Sequence, residues 1–105
     1  MTKEITKKYI DDLAQQALDC VNSYLLDVTD EGFEACPEAD YCRDSLLERL
    51  EYSQPLIPFE LRFHIKQLEE LQRGHVDHGD GENKDLFDTI EILKKLTKIL
   101  EQPPE

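Results

Sequence analysis

The chain is short of positive charge. It sets 12 lysines and arginines against 24 acids, a formal net charge of −12 over 105 residues. A surface that negative repels phosphate backbones and anionic headgroups, which argues against direct binding to nucleic acid or membrane. Long apolar runs are missing too, and none approaches the ~20 residues that span a bilayer. No apolar stretch follows the N-terminal MTKEITKK, so no secretory signal is expected and the expected location is the cytoplasm. Cysteine is scarce: Cys20, Cys36 and Cys42 form an odd set, which without an export signal points to free thiols. Cys36 and Cys42 are six apart, wider than the pairs that usually open a zinc site, and a disulfide between them would need an oxidising setting. There is no phosphate-cradling glycine loop, no nucleophile elbow and no basic stacking platform. No enzyme, cofactor or metal is expected.

What the chain has is helical periodicity. An acidic chain with 39% hydrophobic residues is a candidate for disorder, but apolar residues at helical spacing along most of its length argue otherwise. The spacing predicts helices near 3–29, 37–53, 58–73 and 85–101, and an all-α fold, a small antiparallel four-helix bundle in one domain over 1–105. Tyr9, Leu13, Ala17, Cys20 and Tyr24 line one stripe of the first helix, and Ile10, Ala14, Ala17, Val21, Leu25 and Val28 the next. Thr2 or Thr6 would cap its start and Gly32 its end. The second helix opens at Pro37 with apolar Ala39, Cys42, Leu46, Leu47 and Leu50; the third opens at Pro58 with Leu61, Ile65, Leu68 and Leu71, and Gly74 should end it.

The last helix has the widest apolar arc, roughly half its circumference, from Leu86, Ile90, Ile92, Leu93, Leu96, Ile99 and Leu100. An arc that wide suggests contact with two or more helices, so this helix is expected at the centre of the bundle. Asp85 should cap it, with Asp88 in the capping-box position. The residues 75–84 before it read as a polar loop.

Three groups of residues bear on function. His75, Asp77, His78, Asp80, Glu82 and Asp85 could ligate a divalent metal, but the pattern fails as a calcium loop and reads more simply as a solvated loop. His64 falls inside the apolar arc of the third helix and reads as a packed core histidine. The acids are densest from Asp27 to Glu60, ten against the two bases Arg43 and Arg49. Here Glu31, Glu34, Glu38, Asp40, Asp44, Glu48 and Glu51, with Tyr41 among them, form the candidate partner-binding surface. The plainer reading is a face that only keeps the protein in solution.

A binding surface of this kind suits a basic protein, drawn in by charge and anchored by aromatics. In size and charge alone the chain resembles small acidic immunity proteins, which implies an inhibitor or antitoxin directed at a nuclease toxin or another nucleic-acid-handling protein. Two other classes fit the composition: a phage-type inhibitor that mimics nucleic acid, and an adaptor that pairs with a second copy of itself.

Overall fold

The computed structural model describes residues 7–30, 37–77, 79 and 83–101. They form four helices: α1 (Lys7–Asp30), α2 (Pro37–Glu51), α3 (Pro58–Asp77) and α4 (Lys84–Glu101). Each helix packs on its two neighbours in the order α1–α2–α3–α4 and back to α1, while diagonal helices face each other across the core. The chain therefore runs up and down around a square.

Direction follows from the side chains that meet. Arg62, early in α3, forks onto Glu101 at the end of α4, and Glu69 reaches Lys94 at 3.5 Å. Lys95, late in α4, lies 5.8 Å from the ring centroid of Tyr9, early in α1. Ser45 and Arg49 in the second half of α2 bond to Glu60 in the first turn of α3. Adjacent helices are antiparallel. The antiparallel four-helix bundle expected from periodicity is the observed fold. No described helix is long and apolar enough to cross a membrane.

The centre of the bundle differs from the expectation. Among the described residues, seven core side chains come from α1 (Leu13, Ala14, Ala17, Leu18, Val21, Tyr24, Leu25) and four from α4 (Leu86, Ile90, Leu93, Leu96). The α1–α4 pair is the most extensive interface and α2–α3 the thinnest. α4 does not cross to the middle but holds a corner, because Glu91, Lys94, Lys95 and Lys98 remain exposed on its outer side. Its wide arc is divided between α1 and α3. Thr89 and Thr97 enter the core with it, each donating its hydroxyl to the carbonyl four residues back, at 2.8 and 2.7 Å. Leu47, expected in the core, is 47% exposed, since one further residue rotates it about 100° from the buried Leu46.

The helix ends bring two corrections. α3 runs through Gly74 to Asp77 instead of stopping there, so His75 is helical. Tyr24, fully buried, places its Oη 2.5 Å from His75 Nε2 across the bundle, and this contact holds the last turn. A Cβ at Gly74 would meet nothing within 4 Å. We expect Gly74→Ala to stabilise the protein by about 0.5–1 kcal/mol in urea unfolding, since the helix gains propensity without a clash.

The cap of α4 is Asn83, not Asp85. Its Oδ1 accepts the N–H of Leu86 at 3.1 Å, and its carbonyl accepts that of Phe87 at 2.9 Å. Gln72, buried in α3, holds the Asn83 backbone with both ends of its amide, at 2.9 and 3.0 Å. That clamp fixes where the helix starts. The expected caps Thr2 and Thr6 and the stop Gly32 lie outside the described residues.

Candidate partner-binding face

α2 starts where proline and acids favour it. Pro37 takes the first position, and Glu38 and Asp40 sit in the first turn near the positive end of the helix dipole. At its other end, Ser53 has φ 54° and donates to the Leu50 carbonyl, while Gln54 donates to that of Arg49. This paired closure ends the helix and turns the chain towards Pro55. Between these ends, Ala39, Cys42 and Leu46 are buried, which fixes the rotation of the helix.

The outward side then carries most of the expected surface. At 100° per residue, Asp40, Glu51, Asp44, Glu48 and Tyr41 fall within about 100° of arc. Glu38 lies roughly 60° further round, on the side facing α3. Tyr41, Asp44, Glu48 and Glu51 are exposed, and Glu38 and Asp40 half-buried. Glu31 and Glu34 lie outside the described residues. Arg43 is shared by Asp40 at 3.3 Å and Asp44 at 3.2 Å. Glu38, Glu48 and Glu51 have no ion pair among the described residues.

Between α2 and α3 lies a cleft of about 160 Å³, lined chiefly by Tyr41, Asp44, Ser45, Glu48, Arg49 and Glu60. Arg49 Nη2 sits 2.7 Å from Glu60 Oε2, and Ser45 donates to Glu60 Oε1 at 3.3 Å. The second base of the acidic segment is thus tied down internally. At the rim, the Tyr41 ring meets Phe63 at 6.1 Å and His64 at 5.2 Å, both edge to face. Tyr41 is 55% exposed and Phe63 44%, while His64 beneath them is only 2% exposed. Phe59, one turn before Phe63, is 77% exposed. His64 Nε2 has no hydrogen-bond partner among the described residues, and burial holds the imidazole below its usual pKa, against a smaller opposing pull from Glu60. The core histidine expected at 64 is in place, but it underlies the exposed aromatics.

A second acidic cleft went unread in the sequence. It lies between α1 and α4, about 410 Å³, lined by Gln16, Asp19, Cys20, Asp88, Glu91 and Ile92. Because α1–α4 and α2–α3 are opposite sides of the square, the acidity is divided between two faces. Asp85 leans towards α1, where burial first, then a hydrogen bond and charge from Asp27, then Asp88, raise its pKa. The spacing of Asp85, Asp88 and Glu91 at i, i+3 and i+6 was a signal for one acidic helix face. That Asp19 and Asp27 face it depends on how α1 packs.

The cysteines divide by burial. Cys42 is fully buried and free, its thiol pushed up to about 12 by desolvation, as suits a core residue. Cys20, expected in the core, is instead half-buried beside the α1–α4 cleft; burial, then Asp88, Asp85 and Asp19, raise its pKa. Cys36, His78, Asp80 and Glu82 lie outside the described residues. Among the described residues no group of three or more His, Cys, Asp or Glu could hold a metal ion. Compared with protein-family models, curated proteins and solved structures, the chain matches none, so no relative supplies a role for any residue.

Proposed function

We propose that this chain is a non-enzymatic acidic binding protein whose α2–α3 face covers the positive surface of a protein partner. The observation that carries this reading is the exposed Tyr41–Phe63 pair set beside Asp44 and Glu48. An acidic face speeds encounter with a basic surface, and aromatics supply the area that is desolvated on contact. The most concrete form is an immunity protein or antitoxin acting in the cytoplasm on a nuclease toxin, which must itself present a positive surface to its substrate. The mechanism is occlusion.

The alternatives fit the geometry less well. A nucleic-acid mimic needs carboxylates along a continuous track, whereas here they lie on opposite sides of the bundle. A homodimer through the same aromatics would bring the acidic face of one copy against that of the other.

The test is capture on the immobilised full chain from a lysate of its source cells, elution by rising salt, and a nuclease assay of the eluate with and without added chain. A basic nuclease that elutes with salt and is inhibited by the chain supports the reading. Combining Glu38→Lys, Asp44→Lys and Glu48→Lys should keep the helical circular dichroism and weaken binding by on the order of 100-fold or more, because like charges then meet. Equal binding by this variant, or capture of no basic protein, would overturn the proposal.

A further inference from the structure

We infer that the partner inserts an arginine side chain into the α2–α3 cleft, an inference that rests on the basic-partner reading above. The cleft, about 160 Å³, has the scale of one side-chain head group. Its charges are unevenly matched. Both oxygens of Glu60 are engaged, by Arg49 at 2.7 Å and Ser45 at 3.3 Å, so the Arg49 charge is already compensated inside. Asp44 shares Arg43 with Asp40, and Glu48, one turn further on, has no ion pair among the described residues. Two carboxylates in i, i+4 register on one helix repel each other, and a cation placed between them relieves that.

The rim selects the kind of cation. Tyr41 packs at steep angles to Phe63 and His64, 66° and 84°, and remains 55% exposed, so part of its ring is open at the rim. A guanidinium can lie flat on that ring and still direct its N–H fork at Asp44 and Glu48; an ammonium is a point charge and does one or the other. Phe63 and Phe59 continue the surface, giving apolar ground for a residue beside that arginine. The α1–α4 cleft is larger, about 410 Å³, and also acidic, but no aromatic among the described residues lines it, which makes it an internal control.

The inference is tested by ¹⁵N–¹H NMR titration of the full chain, near physiological ionic strength, with N-acetyl-arginine amide and its lysine and citrulline counterparts. Expected are saturating shifts at Tyr41, Asp44, Ser45 and Glu48 with Kd on the order of 1–10 mM. Lysine should bind roughly threefold more weakly and citrulline, which is uncharged, not measurably. Glu48→Gln keeps the side-chain shape and should weaken arginine by roughly threefold. Shifts centred on Asp19 and Asp88, shifts that spread over both acidic faces without saturating, or equal binding of lysine would overturn it. A captured basic protein that is weakened by Tyr41→Ala and by the triple lysine variant but indifferent to Glu48→Gln removes the arginine cleft and leaves the partner reading standing. Arginine saturating the cleft while no basic protein is captured removes the partner reading instead.

Discussion

His64→Leu should make the protein more resistant to acid. His64 is 2% exposed with an unpartnered Nε2, and burial lowers its pKa in the folded state. In the unfolded chain it titrates near 6.5. The unfolded state therefore binds more protons as pH falls below about 6.5, and stability must fall with it. The contribution is complete above the unfolded pKa and is lost as pH drops towards the lowered folded one. A protonated His64 would be drawn by charge to Glu60, one turn earlier on α3, and that carboxylate already holds Arg49 and Ser45. Competition for Glu60 would loosen the link between α2 and α3 across the thinnest interface of the bundle. Two other effects oppose this trend. Acid reduces the repulsion within a chain of −12, and Asp85, with a raised pKa, favours the folded state at lower pH. The readout is therefore the difference between wild type and His64→Leu in urea midpoint, followed from pH 7 to 5. At pH 7 leucine should already be ahead by about 1–3 kcal/mol, because it has similar volume and removes an unsatisfied buried atom. The gap should widen in favour of leucine as pH falls. A gap independent of pH would show that His64 opens freely to water and titrates alike in the folded and unfolded states.

How much of this was legible in the sequence depends on whether the deciding partner was local. The four helices were, because Pro37 and Pro58 mark starts and the apolar stripes repeat at helical spacing. So was the outward arc of α2, since the burial of Ala39, Cys42 and Leu46 fixes where Asp44 and Glu48 point. Gly74 and Asp85 misled because their local preferences were overruled from a distance, by Tyr24 on His75 and by Gln72 on Asn83. The burial of Thr89 and Thr97 was hidden because a hydroxyl reads as polar, although bonding to its own helix satisfies it. The α2–α3 cleft was only half legible. Tyr41 and its acids stood out on one helix, but Glu60 tying down Arg49, and His64 and Phe63 meeting Tyr41, depend on two helices in register. The α1–α4 acidic cleft needed the packing of α1 on α4.

Truncating Leu93 should destabilise the protein more than any surface change discussed above. Leu93 is fully buried in α4 and belongs to the arc divided between α1 and α3, where α4 closes the square. Removing its three terminal carbons loses their transfer energy and leaves a cavity that helices bound by antiparallel neighbours cannot easily collapse into. Leu93→Ala should therefore cost about 2–5 kcal/mol. For a domain of this size each kcal/mol moves Tm by about 4–8 °C, so a shift on the order of 10–30 °C is expected, from a total stability of only about 5–15 kcal/mol. Leu47→Ala is the matched comparison. It is the same substitution on a helix, but at a side chain that is 47% exposed, and it should change stability by about 0.5 kcal/mol or less. Urea unfolding of both variants checks this, with an unchanged slope showing that stability and not the unfolded state has moved. If Leu47→Ala cost as much as Leu93→Ala, α2 would have to bury its outer side against something, and the free acidic and aromatic face on which the partner reading depends would not exist. The stability experiment thus bears on function without needing the partner in hand.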